Sequence, residues 1–260
     1  MTRGVQAPPK VDLQRLERSL RWALKNGMPA RDVIALLRAL VAHTSPDAPR
    51  GRVARLELAE RLLIAPQPAG SVPLGSAWEA AGLLHRLLRQ AAGGEATPSR
   101  VRGNRNQPEE PAPPSPAAGN RTKARDHLRP GSQYLARVYG AFGLACTILG
   151  HYRAAKRAYG RALHEDPGDP AVAHNLGHLL ATKLQSPLAS LIWLQRAHAG
   201  LPGNSEVAAS LAHALVRTGQ CERAVAILSR ALGSSREAHR LVANWLLENE
   251  ADQHLAVACE

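Results

Sequence analysis

The sequence predicts an all-α chain: a small helical bundle, a disordered linker, and an α-solenoid of three helical hairpins closed by a capping helix. Three observations predict it. Apolar residues make up 45% of the 260 residues but aromatics only 3%, an aliphatic content without the Val, Ile and aromatic enrichment of strands. Apolar positions recur three and four residues apart over most of the chain, the spacing of one helical face. Finally, the hairpin pattern at Tyr139 to Pro167 returns twice, at offsets of 34 and 35 residues. The expected divisions are 1–94 for the basic N-terminal bundle, 95–131 for the linker and 132–260 for the repeats with their cap.

The elements follow in chain order. Leu13, Leu16, Leu20 and Leu24 share one face of a first helix, Arg15, Arg18, Arg21 and Lys25 lie mostly off it, and Asn26-Gly27 supplies a left-handed stop. Pro29 suits the first turn of a second helix, with Asp32 near its positive end and Val33, Leu37, Leu40 and Val41 turned inward. A third runs from about Arg50 to Ala65 with Leu56, Ala59, Leu62 and Leu63 as its core, closed by Pro66, Pro68 and Pro73. A fourth opens on Ser76-Ala77-Trp78-Glu79, the spacing of a capping box, and continues through Leu84, Leu87 and Leu88 to Gly93-Gly94.

Residues 95–130 hold seven prolines and only Val101 and Leu128 as large aliphatics, too little apolar surface to offset the entropy of ordering a backbone. The Pro111 to Pro114 match to a proline-recognition motif is weak, and a spacer is the expected role.

In the first hairpin, Tyr139, Phe142, Cys146 and Leu149 lie on the inner stripe of helix A, which runs from about Tyr134 to Leu149. Tyr152, Ala155, Tyr159 and Ala162 do so on helix B, from His151 to Glu165. Phe142-Gly143 returns as Leu176-Gly177 and Leu211-Ala212, Ala155 as Ala189 and Ala224, Ala162 as Ala197 and Ala231, and Pro167 as Pro202. Ser186-Pro187 reads as N-cap and first turn of the second helix B, ending near His198. The second repeat is one residue longer, and the Leu176 to Ala189 spacing places the extra residue after Ala189. Arg236 to Glu248, with Leu241, Trp245 and Leu246, is the capping helix that a stacked array requires.

At these landmarks the last half of the chain resembles the tetratricopeptide repeat (TPR) proteins, whose repeat of about 34 residues carries the same order of aromatic, Leu-Gly, Ala, aromatic, Ala and Pro positions. The resemblance implies a non-enzymatic adaptor or scaffold that binds a peptide or helix of another protein in a concave groove lined by the A helices. Helical spacing puts Phe142, Cys146 and Leu149 inward, so the groove face of the first repeat is Arg137, Ala141, Leu144 and Ile148. The repeat offsets carry that face to His174, Asn175, His178 and Thr182, then to Glu206, Ser210, His213 and Arg217. TPR proteins that clamp the C-terminal carboxylate of heat-shock chaperones use two Lys, two Asn and an Arg there. Only Asn175 matches, with Gly140, Leu144, Glu206 and Ser210 in the other places, so no such chaperone is the expected partner. His178 and His213 recur at one repeat position and should resist joint protonation, so an acidic partner is expected to bind more tightly at lower pH.

The remaining features exclude other classes. His174 and His178 have the four-residue spacing of zinc peptidases, but Asn175 stands where their Glu belongs and no third ligand follows, so no metal or other cofactor is expected. No catalytic constellation and no phosphate loop is present, and an enzyme is not expected. Cys146, Cys221 and Cys259 are odd in number and too far apart for a metal site. The longest apolar run, Val33 to Ala42, is broken by Arg38, so the expectation is a cytoplasmic protein without a membrane span. Of the formal charge of +12, most lies in residues 1–94, with 14 basic against 7 acidic side chains. This admits an alternative in which the basic bundle engages nucleic acid and the repeats recruit partners. Against it, the arginines are interleaved with Glu17, Glu57 and Glu60, and Trp22 and Trp78 are expected to be packed. A secretion-type chaperone is a second alternative, since that family also uses three such repeats, although usually in shorter chains.

Overall fold

The computed structural model describes residues 12–65, 74–94 and 130–258, and every regular element within them is a helix. The chain divides into two compact units, Met1–Arg100 and Val101–Glu260. The expected N-terminal lead and nearly all of the expected linker lie outside the described residues.

In the first unit, α1 (Leu13–Lys25), α2 (Ala30–His43), α3 (Pro49–Ile64) and α4 (Leu74–Gly94) each pack against the next in the chain. Asp12 caps α1 by accepting from the amides of Gln14 and Arg15 at 3.0 and 3.2 Å. Gly27, at φ +62°, provides the left-handed stop. Val33, Leu37, Leu40, Leu56, Ala59, Leu62, Leu84 and Leu87 form the buried core as expected. At the edge, α1 meets α2 with Ala23 as its buried residue, so Leu24 turns partly to solvent.

Three features of this unit depart from expectation. Helix α4 begins two residues before Ser76, so Ser76 lies within its first turn and is not its N-cap. Glu79 does not close a capping box. It receives two hydrogen bonds from Arg38 of α2, at 3.0 and 2.6 Å. Trp22 and Trp78 are not buried, being 59% and 60% exposed. Arg55, by contrast, is buried: its guanidinium donates to the carbonyls of Val41 and Thr44 at 3.3 and 3.1 Å, and to Gly51 at 2.8 Å. It thereby satisfies carbonyls at the end of α2 that have no helical partner. Gly51 is required beside it, because a β-carbon there would come within 2.0 Å of the Ser45 carbonyl oxygen.

The second unit stacks three hairpins: α5 (Pro130–Ile148) with α6 (Tyr152–Glu165), α7 (Pro170–Thr182) with α8 (Pro187–Gly200), and α9 (Ser205–Arg217) with α10 (Cys221–Leu232). Helix α5 starts four residues earlier than expected and absorbs the last two residues assigned to the linker. Asp169 and Asn204 cap α7 and α9 through their side chains. Ser186 precedes α8 but makes no such cap, its hydroxyl donating instead to the Leu184 carbonyl at 3.0 Å.

Close approach within each hairpin depends on a small residue in helix A. A β-carbon on Gly143 would come within 2.6 Å of the Tyr159 ring, and one on Gly177 within 2.6 Å of Leu194. These contacts fix the alignment of the B helices. Tyr159, Leu194 and Leu228 correspond, all buried, and one turn earlier stand Ala155, Ser190 and Ala224, each 0% exposed. The small residue of the second repeat is therefore Ser190, and Ala189 faces solvent.

It follows that the extra residue precedes Ala189, in the turn between α7 and α8. The His151 amide closes the first hairpin turn on the Cys146 carbonyl, and the Gln220 amide closes the third on Leu215, five residues back in both cases; the Ser186 amide reaches Leu180, six back. Gly150 and Gly219 supply the left-handed residue of the shorter turns at φ +77°, where the longer turn has Gln185 at φ +49°. Gln185 is held from both sides, donating to the Thr182 carbonyl at 3.0 Å and accepting from Arg217 at 2.6 Å.

The expected capping helix is α11 (Ser235–Ala258), ten residues longer at its C-terminal end than predicted. It packs on both α9 and α10. Ala238 and Val242 are buried there against Leu211, Leu215 and Leu228, with Leu241, Trp245 and Leu246 around them.

Candidate functional site

Helices α5, α7 and α9 pack side by side, and α11 continues the row. Their shared outer face carries the residues that helical phase selects. At the α5 end it is apolar: Ala141, Leu144 and Ile148 are all half-buried, whereas Val138 and Ala145 behind them are fully buried. Arg137 is exposed one turn before Ala141.

The middle of the face is built from α7 and α9. Nε2 of His174 lies 2.9 Å from the Ser210 hydroxyl, a hydrogen bond that crosses from one repeat to the next. His178 stands one turn along from His174, with ring centroids 6.0 Å apart and planes inclined at 45°. The His178 carbonyl accepts from Thr182 Oγ1 at 2.8 Å, so this hydroxyl is turned back onto its own helix. Asn175 is half-buried beside His174. Towards α11, His213 is met edge-on by the Trp245 indole, with centroids 5.2 Å apart and an interplanar angle of 80°.

All three imidazoles titrate below the ordinary histidine value with desolvation as the first cause, at half-buried positions for His174 and His213 and at an exposed one for His178. Glu206 opposes the shift at His174 and His178 by favouring their cations. At His213 the neighbouring charge of Arg217 adds to burial, and a positive His178 would disfavour the His213 cation further. At neutral pH the centre of the face is thus a row of neutral imidazoles that can donate or accept hydrogen bonds.

Arg217 stands apart from the expected groove lining. Its guanidinium donates to the Ala181 carbonyl and to Gln185 Oε1, which ties the end of α9 to the end of α7. The cation expected at this end of the groove is therefore committed to holding adjacent repeats together. Trp245 joins the face although the sequence pattern assigns it only to covering the last hairpin; its place beside His213 depends on the angle at which α11 docks. No group of three His, Cys, Asp or Glu side chains among the described residues could hold a metal ion. Cys146 is buried in the first hairpin, and burial pushes its thiol above the ordinary range, which disfavours the nucleophilic thiolate.

The chain matches no protein-family model and no curated protein. Its structure is similar to that of the MamA protein (TM-score 0.53, 13% identity, 86% of this chain and 92% of that one). A Podosopora anserina protein of nearly identical TPR-like repeats matches at TM-score 0.54 and 16% identity, over 88% of this chain and 96% of that one. A thermophilic TPR protein of Thermus thermophilus matches at TM-score 0.51 and 16% identity, over 91% of this chain and 100% of that one. The fold is that of a TPR solenoid. Within the TPR unit, the three successive A–B hairpins, the close approach of A and B helices at Gly143 and Gly177 and the covering α11 follow the order that the repeat pattern specifies. No helix among the described residues is long and apolar enough to cross a membrane.

Proposed function

We propose that the TPR unit is a non-enzymatic adaptor of the cytoplasm, binding an extended peptide or a helix of another protein along the outer face of α5, α7 and α9. The observation that carries this reading is the hydrogen bond between His174 and Ser210. It marks a polar surface spanning two repeats, which a ligand lying across the helices would contact as one site. Ala141, Leu144 and Ile148 offer apolar contact at one end; His174, Asn175, His178, Ser210 and His213 offer hydrogen bonds in the middle, with Glu206 beside them. A ligand matching this order has an apolar segment followed by hydrogen-bonding side chains or an exposed backbone.

The test is affinity capture by the full chain, comparing the native sequence with a variant in which His174, Asn175, His178 and His213 are all alanine. The expected result is loss of the captured proteins with retention of helicity. Capture of the same proteins by both would remove the groove from the binding surface.

A further inference from the structure

The first unit carries a surface that the groove reading leaves unused. Helix α1 turns Leu13, Leu16, Leu20 and Ala23 towards the rest of the unit, and its opposite side presents Arg15, Arg18, Trp22 and Lys25. These occur at intervals of three, four and three residues, which places them on one stripe, flanked by Arg21. All five are exposed, and the indole of Trp22 is 59% open to solvent in the midst of the cations. Arg15 to Lys25 spans about 15 Å at the rise of an α-helix, the reach of a few nucleotides.

Acidic residues of α1 and of the rest of this unit are turned to other tasks. Asp12 caps α1 itself. Glu17, on the flank of the helix, lies 3.8 Å from Arg50 of α3. Glu57 accepts from Arg61 at 3.1 Å, and Glu79 is held by Arg38. The stripe therefore keeps its positive charge, with an aromatic face at its centre.

We propose that this side of α1 binds single-stranded nucleic acid. The guanidinium and ammonium groups contact phosphates, and Trp22 stacks on an unpaired base. A duplex does not fit as well, because its bases are already stacked and cannot receive the indole. An anionic bilayer fits less well too: an amphipathic helix enters a membrane by its apolar face, and the apolar face of α1 is occupied by packing against α2.

The test uses the full chain and a fluorescently labelled oligothymidylate, read by anisotropy. Saturable binding is expected, with log K falling against log salt at a slope of about −2 to −3 for three to four phosphates contacted. Trp22→Ala is expected to weaken binding about tenfold without changing that slope, and Trp22→Phe to recover part of the loss. The double variant Arg15→Gln, Arg18→Gln is expected to shrink the slope by about 1.4. These residues are exposed, so circular dichroism should show unchanged helicity in each variant. Absence of saturable binding at low salt would overturn the proposal, as would equal affinity of the native chain and Trp22→Ala. Trp22-dependent binding to vesicles of phosphatidylserine and phosphatidylcholine, without oligonucleotide binding, would assign the stripe to a lipid surface and overturn it equally.

Discussion

The Tyr159 ring lies so close to Gly143 that a β-carbon on the glycine would come within 2.6 Å of it. Tyr159 has little room to yield: it is 1% exposed, and its hydroxyl lies 3.3 Å from Thr147 Oγ1. Burial pushes the Tyr159 phenol up to about 12, in keeping with a ring fixed in the hairpin core. Gly143→Ala is therefore expected to destabilise the second unit by about 1 to 3 kcal/mol through overpacking. Gly160, also within a helix but with open space around its α-carbon, is the control. Gly160→Ala is expected to be neutral or stabilising by up to about 1 kcal/mol. Equal melting temperatures for the two variants would show that the Gly143 contact relaxes freely.

Stability should depend on pH through the three groove imidazoles. Their folded pKa values lie below the ordinary value of 6.5, so just below that value the unfolded chain binds more protons than the folded one. The corresponding stability is present above 6.5 and lost as pH falls from there through the depressed folded values. A variant carrying His174→Gln, His178→Gln and His213→Gln should melt at a temperature that varies less across this window. Identical pH profiles for the native chain and the variant would refute the assignment.

Truncation after Ser234 should damage the second unit, because it uncovers the apolar surface of Val225 and Leu228 that α11 packs against, at about 25 cal/mol for each square ångström exposed. Trp245→Ala should cost less and act locally, by releasing the edge of His213. Hydrogen exchange is the discriminating measurement: amides of α9 and α10 should lose protection in the truncated chain, and those of α5 and α6 should keep it. Uniform protection would mean that α11 contributes nothing to the array.

Arg55→Ala should destabilise the first unit by about 3 kcal/mol, since it leaves the carbonyls at the end of α2 unpaired around a cavity. Arg55→Lys should recover little, because one ammonium cannot reproduce the geometry by which two guanidinium nitrogens reach separate carbonyls. Full stability of the lysine variant in thermal unfolding would show that charge alone suffices.

The helical pattern and the repeat landmarks are legible because each follows from a contact that admits few residue types. Gly143, Gly177 and Ala212 recur since helices A and B meet there, and no larger side chain fits. The extra residue of the second repeat is harder to locate, because Ala189 and Ser190 are adjacent and both small. Identity favours the alanine, and only burial shows that Ser190 has the place of Ala155 and Ala224. On the A helices, phase selects the side on which a residue lies but not the direction of a long side chain. Arg217 is on that face and still reaches sideways to Ala181 and Gln185. Trp22 and Trp78 are expected inside because aromatic residues usually are. Their positions on the solvent sides of α1 and α4 become visible only once the neighbours of those helices are known.

The additional residue beside Gln185 bears on how such an array can change length. Had it entered helix α8, every side chain beyond it would have swung by about 100° around the axis, carrying Leu194 and Ala197 out of the core. Lodged in the turn, it alters the connection and nothing downstream, so the B helix presents the same face as its neighbours. Insertions and deletions at these turns should consequently be tolerated where the same changes within a helix are lethal to the fold, and the Arg217 contact to Gln185 shows a longer turn being taken up as a strut between repeats.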